Sequence, residues 1–153
     1  MSILREMSNI EFNKYLDKSI KTYAEEKVKS GNWKKDDSLS LSQSEYNKLL
    51  PDGINTINNY LFSIIDKNND VIGIIWINKK DSNSCFIYDI CINDKFQGKG
   101  YGLMAMTEVE NFAKSLGAET IGLHVFGHNN KAIKLYEKLG YKATNISMSK
   151  QLY

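Results

Sequence analysis

The sequence predicts an α+β fold: one mixed, mostly antiparallel, twisted sheet with helices on both faces. Three observations predict it. Apolar runs of strand length at 59–66, 71–78 and 84–92 follow one another across short polar turns, the pattern of an antiparallel meander. A glycine-rich turn, a helical stripe and a further apolar run at 120–126 come next, and such a strand–helix–strand crossover implies a parallel pair. Two helix-start signatures lie upstream of the first long strand.

In chain order, residues 1–7 read as a short first strand. Ser8-Asn9-Ile10-Glu11 is a capping box, and Phe12, Tyr15, Leu16, Ile20, Tyr23, Ala24 and Lys27 form the stripe of the helix behind it, which should end near Ser30-Gly31. Residues 32–38 are polar except Trp33 and read as a loop. Ser42-Gln43-Ser44-Glu45 marks a second, short helix through Leu50, stopped by Pro51-Asp52-Gly53. Lys67-Asn68-Asn69-Asp70 is a hairpin loop, and 78–84 the next turn. On strand 84–92, alternation sets Phe86, Tyr88, Ile90 and Ile92 on one face and Cys85, Ile87, Asp89 and Cys91 on the other. Leu103, Met106, Val109, Phe112, Ala113 and Leu116 form the next helical stripe, with Gly117 placed to end it. A helix over 130–139 should stop at Gly140, and 141–152 should return as a strand. Pro51 is the only proline and no Gly/Ser-rich linker occurs, so residues 1–153 read as a single domain.

Composition excludes several classes. A formal net charge of +2, with the 20 basic residues dispersed, gives no electrostatic case for nucleic acid or a membrane surface. No apolar run approaches the ~20 residues of a membrane span, and no signal-peptide core opens the chain, so a cytoplasmic protein is expected. Cys85 and Cys91 sit on one strand, roughly 20 Å apart, beyond disulfide reach. His124 and His128 are the only imidazoles and no paired-cysteine motif accompanies them, so no metal site is expected.

The chemistry concentrates at Ile92-Asn93-Asp94-Lys95-Phe96-Gln97-Gly98-Lys99-Gly100-Tyr101-Gly102, where strand turns into helix. Three glycines in five residues leave backbone N–H groups exposed at a helix N-terminus, and Lys99 adds a cation: a cradle for phosphate or pyrophosphate. A plain glycine turn is the alternative. A dinucleotide-binding oxidoreductase would need G-x-G-x-x-G near the start of the fold, and a P-loop would need Gly-Lys-Ser/Thr; neither pattern is present.

Gln97-x-x-Gly100-x-Gly102 at a strand end resembles the acetyl-coenzyme A pyrophosphate loop of the GNAT superfamily of N-acetyltransferases. Asn129-x-x-Ala132-x-x-Leu135-Tyr136-x-x-x-Gly140-Tyr141 resembles that family's second signature, in the right order and at the right distance. The resemblance covers roughly residues 85–145. It implies a GNAT-like fold in which 1–58 form a helical substrate-side segment and 59–153 the sheet and acetyl-CoA core. It implies that Gln97, Gly98, Lys99, Gly100, Tyr101 and Gly102 hold the pyrophosphate. The pantetheine arm would pair with the backbone of Ile90, Cys91 and Ile92, as a peptide adds to a sheet edge. Asn129 would cap its helix and reach the coenzyme beside Ala132; capping alone is the alternative.

The implied reaction is direct transfer of acetyl from acetyl-CoA to a primary amine. Tyr136 is the expected acid that protonates the departing thiolate; half-buried packing on its helix is the alternative. Asp89, a charge in an apolar strand, is the expected partner of the amine or of a water that deprotonates it; pairing with a lysine or arginine is the alternative. A backbone N–H near Cys91 or Ile92 would polarise the thioester carbonyl. The acceptor, a small-molecule or peptide amine, would bind near Tyr23, Glu25, Glu26 and Trp33; a solvated helix face is the alternative for Glu25 and Glu26. A non-catalytic acyl-CoA-binding module on the same fold is the rival reading. The C-terminal strand or an open sheet edge is where a homodimer would form.

Overall fold

Five strands, β1 (Leu4–Glu6), β2 (Asn59–Ile65), β3 (Val71–Asp81), β4 (Ser84–Ile92) and β5 (Thr120–Leu123), lie side by side in that order in one sheet. The structure is a computed structural model and describes residues 2–153. Neighbouring strands are antiparallel except β4 and β5, the parallel pair required by the crossover. The predicted architecture is therefore found: a mixed α+β sheet with helices on both faces.

Each face has its own core. On one, α3 (Tyr101–Ser115) packs Ala105, Met106, Val109 and Ala113 against Ile64, Ile72, Ile75 and Ile77. On the other, α1 (Asn9–Lys29) and α2 (Lys35–Leu49) bring Phe12, Tyr15, Ile20 and Tyr46 onto Leu61 and Trp76. A fourth helix, α4 (Asn130–Lys138), lays Tyr136 and Leu139 against the α3 side.

Local chemistry fixes several element ends. The Ser8 hydroxyl accepts from the Glu11 N–H, and the Glu11 carboxylate accepts from the Ser8 N–H, the reciprocal pair of a capping box. Gly117 and Gly140 take φ of 93° and 96° just past α3 and α4. In that left-handed conformation the next N–H can turn back: Tyr141 donates to the Tyr136 carbonyl at 2.9 Å.

Several expectations are corrected. The second helix begins at Lys35, not Ser42, because Asp36 and Asp37 favour a helix start further upstream. Ser42 is fully buried mid-helix and donates its hydroxyl to the Ile20 carbonyl at 2.7 Å, joining α2 to α1 instead of capping. β3 runs on to Asp81, leaving a turn of only two residues before β4. Leu103 lies outside the α3 stripe and Ala105 takes its place in the core. β5 stops at Leu123, short of residue 126. Residues 141–153 form no strand, since none of that backbone joins a ladder, and 142–153 are exposed. The first strand is Leu4–Glu6; Met1 lies outside the described residues.

Candidate active site

The site grows from the way β4 loses a neighbour. Its first half is paired on both sides, with β3 and, over Ser84–Ile87, with β5. Pairing with β5 ends at Ile87–Leu123, and β4 continues to Ile92 with β3 alone. The edge of residues 88–92 that faces away from β3 is thus open, and the sheet forks there.

A bulge sits at the fork. Trp76 pairs with Asp89 but the next residue, Ile77, pairs with Ile87, so Tyr88 is an extra residue in β4. It corrects the alternation expected for this strand. Ile90 and Ile92 join Cys85 and Ile87 on the α3 face, while Asp89 turns to the α1 side. One unpaired residue reverses the parity of everything after it.

At the end of β4 the chain enters the glycine turn. Gly98 and Gly100 adopt φ of 75° and 87°, and a Cβ at either would meet nothing within 4 Å. Gly100 is the N-cap of α3 and no side chain caps it. The N–H groups of residues 98–103 donate to nothing among the described residues; the first to do so is Met104, to the Gly100 carbonyl at 3.1 Å. An uncapped helix start with free N–H groups fits an anionic diphosphate. Lys99 and Lys95 flank the turn, their ammonium groups 5.7 and 5.2 Å from the centre of the Phe96 ring. Gln97 is largely occupied in shaping the turn. Its amide donates to the Ile92 carbonyl at 2.8 Å and to Asp94 at 3.3 Å, and its carbonyl accepts from Lys131 of α4 at 3.1 Å. Gly102 lets α4 close in: a Cβ there would stand 3.3 Å from a Leu135 methyl.

Near the end of β4 lies Tyr136, packed against the α3-side core and close enough to feel the Asp89 charge. The Asn129 side chain accepts from the Ala132 N–H at 3.2 Å and starts the helix that carries it. The Tyr136 hydroxyl has no hydrogen-bond partner among the described residues. Burial pushes its pKa up to about 12, helped by the nearby charge of Asp89. It therefore stays protonated at any working pH and is available as a donor. Cys91 is exposed as a residue, but partial desolvation of its sulfur raises the thiol, with the Asp89 charge adding to it, so this thiol is not activated as a nucleophile.

Asp89 is half-buried and takes no lysine or arginine partner; the Tyr15 hydroxyl donates to it at 2.7 Å. Burial holds the Asp89 carboxyl above its ordinary range, against the lowering pull of the Tyr15 and Ile90 hydrogen bonds. Tyr15 is kept neutral in turn by its own burial and by the Asp89 charge. Tyr15 belongs to the site and was read from sequence only as part of a helix stripe. Nothing in the sequence points from residue 15 to residue 89.

The far mouth of the fork is aromatic. Tyr23 meets Trp33 at 5.6 Å and Phe126 at 6.2 Å, and the Lys27 ammonium lies over both Tyr23 and Trp33. Glu26 is bound by His128, which ties α1 to the segment before α4. His124 titrates below its usual value because of burial and the Lys27 charge. A surface cleft of about 580 Å³ lies elsewhere, between the start of α1 and β2, lined by none of the glycine turn and not by Tyr136. Among the described residues no group of three or more His, Cys, Asp or Glu could hold a metal ion. Among the described residues no helix is long and apolar enough to cross a membrane.

A forked mixed sheet with a glycine turn at the fork is what the resemblance to the GNAT superfamily implies, and the comparisons agree. The solved structure of YycN from Bacillus subtilis superposes with a TM-score of 0.94 over 98% of both chains, at 38% identity. In sequence, YycN, described as an uncharacterized N-acetyltransferase, is 39% identical over 98% of this chain and 98% of its own. YdgE of the same organism, described likewise, is 33% identical over 97% of each. A GNAT family acetyltransferase from Elizabethkingia anophelis, solved with acetyl-CoA bound, shares the fold over 57% of each chain at a TM-score of 0.54 and 24% identity. The model of the Acetyltransferase (GNAT) family matches residues 23–141. The chain belongs to the GNAT family of N-acetyltransferases; it is an acetyltransferase enzyme and requires an acceptor substrate.

Proposed function

We propose that the protein transfers acetyl from acetyl-CoA directly to the primary amine of a small molecule or peptide. The observation that carries this reading is the fork: an open backbone edge at residues 88–92 ends in a glycine turn with free N–H groups, and Tyr136 lies close enough to feel the Asp89 charge. Residues 97–102 would take the diphosphate. The backbone of Ile90, Cys91 and Ile92 would pair with the pantetheine amides, with Asn129 and Ala132 at the start of α4 beside it. Acetyl-CoA supplies the activated thioester when bound. Residues 59–153 then form the coenzyme core and 1–58 the acceptor side, in one cytoplasmic domain.

In this reading the chain's own groups divide the work. A backbone N–H near Cys91 or Ile92 polarises the thioester carbonyl. Asp89, oriented by Tyr15, binds the incoming ammonium or orders the water that takes its proton. Tyr136 protonates the leaving thiolate. The raised Cys91 thiol favours direct attack over an acetyl-cysteine intermediate.

Calorimetric titration with acetyl-CoA tests the coenzyme assignment, with NADH and the variant Gly100→Asp as controls. The expected result is saturable binding of acetyl-CoA, none of NADH, and loss of binding when a carboxylate enters the cradle. No binding by the unaltered protein would overturn the reading.

A further inference from the structure

The α1 side of the sheet is covered unevenly. Helices α1 and α2 pack over Leu61 and Trp76, but Tyr88, the bulge residue beside Asp89, is 39% exposed. Its ring centre lies 4.7 Å from that of Trp76 and 5.0 Å from that of Phe86, so an aromatic floor runs outward along β4 from the acid. Gly122 of β5 keeps that floor open, since a Cβ there would stand 3.3 Å from the Phe86 ring. Tyr23, Trp33 and Phe126 form an aromatic rim. Tyr46 joins the rim to the floor, meeting Tyr23 at 6.0 Å and Trp76 at 5.9 Å.

Charge is spread unequally over this groove. At its inner end Asp89 has the Tyr15 hydroxyl for a partner and no cation. The carboxylates of the rim are engaged: Glu26 holds His128, and Glu45 is within reach of the Tyr23 hydroxyl. The two ammonium groups that lie on the groove's rings have no such partner. Lys27 stands 5.5 Å from the centre of Tyr23 and 5.2 Å from that of Trp33, and Lys80 stands 5.9 Å from that of Phe86. Among the described residues no carboxylate is within ion-pair distance of either. A ring holds an ammonium in place without neutralising it, so each can still receive an anion. His124, kept neutral by burial and by the Lys27 charge, adds no negative charge beside them.

The elements themselves set the spacing. Tyr15, which holds Asp89, and Tyr23, which carries Lys27, are eight residues apart on α1, a rise of about 12 Å. Asp89 and Phe86, which carries Lys80, are three residues apart on β4, roughly 10 Å.

We propose that the acceptor is an amine with an anionic group at its far end, about 10–12 Å from the reacting nitrogen across an apolar span. This rests on the acetyl-transfer reading above and narrows its substrate. The ammonium end meets Asp89, the apolar span lies on Tyr88 and Phe86, and the rim ammonium groups of Lys27 and Lys80 receive the anion. A free amino acid reacting at its α-amine does not fit, because its carboxylate would lie beside that of Asp89.

Matched acceptors test this with acetyl-CoA and the full chain, release of free thiol being the readout. ω-Aminooctanoate against octylamine represents a small-molecule source. The peptide Ala-Phe-Ala against its C-terminal amide represents a peptide source. Both acids span roughly 10 Å. The acid should exceed its neutral counterpart in kcat/KM by about tenfold or more in at least one pair, and which pair responds tells the sources apart. Free alanine should be a poor acceptor. Lys27→Met/Lys80→Met should bring the ratio close to unity, Lys27→Arg/Lys80→Arg should keep it, and Lys27→Glu/Lys80→Glu should reverse it. Loss of folding lowers both members of a pair together and leaves their ratio alone. Equal rates within both pairs, no turnover of either pair by a protein that binds acetyl-CoA, or a ratio unmoved by the Met substitutions would overturn the proposal. Failure to bind acetyl-CoA in the calorimeter would instead overturn the reading on which it rests.

Discussion

The two halves of β4 share one backbone and one neighbour, β3, yet do opposite jobs. Residues 84–87 are paired on both sides, and Cys85 and Ile87 are only 2% exposed. Residues 88–92 are paired on one side and are half-buried or exposed. The first half is a structural beam. The second is left unfinished, and the glycine turn, Asp89 and Tyr136 gather around it. The bulge at Tyr88 marks the boundary. It turns an acid toward the cleft without removing Ile90 and Ile92 from the core. An open edge is thus made by ending a ladder, with little special side-chain chemistry in the strand itself.

Substitutions can sharpen or break this contrast. The largest effect is expected at Tyr136→Phe: turnover should fall by about a hundredfold or more, while calorimetric binding of acetyl-CoA stays unchanged. Unaltered turnover would remove Tyr136 as the acid. Next, Ile87→Ala in the beam should lower unfolding free energy by about 2–5 kcal/mol in denaturant titration, and Ile90→Ala in the open half by clearly less. Equal losses would erase the distinction between the halves. Third is Gly73→Ala in β3, which touches no proposed ligand. An added Cβ there would lie 2.3 Å from the Cys91 carbonyl and 3.2 Å from Ile92, so β4 must shift. Acetyl-CoA affinity should fall about tenfold, roughly 1.4 kcal/mol, in the same titration.

The smallest effect is a displacement in pH. If Asp89 must be ionised, kcat/KM rises with pH through its folded pKa, which burial holds above the usual carboxylate value. Tyr15→Phe removes a hydrogen bond that lowers that pKa, so the acidic limb should move to higher pH. A limb that stays in place would detach Tyr15 from the reaction. The Tyr136 pKa of about 12 contributes no alkaline limb in the ordinary assay range.

Much of this was legible in the sequence because it is local. The Ser8 capping box, the glycines at 98, 100 and 102, the stop at Gly140 and the meander of β2, β3 and β4 each rest on residues a few positions apart. The bulge was not legible, since an extra strand residue leaves no mark in an apolar run; it reversed the faces assigned to Ile90 and Ile92. Tyr15 was hidden because its partner lies 74 positions away. Ser42 imitated a cap because the box pattern is the same whether the hydroxyl serves its own helix or the neighbouring one. The segment after Tyr141 has the alternation of a strand, but alternation does not say which backbone it pairs with.

The unfinished edge of β4 also has a thermodynamic consequence. A molecule that completes it binds the native chain and finds no such edge in the unfolded one. By mass action the folded state then gains about 2.7 kcal/mol at a ligand concentration a hundred times its dissociation constant. Abundance of the protein in a cell would follow the supply of that molecule: well-supplied cells would keep the chain folded and spared from proteolysis, and starved ones would clear it.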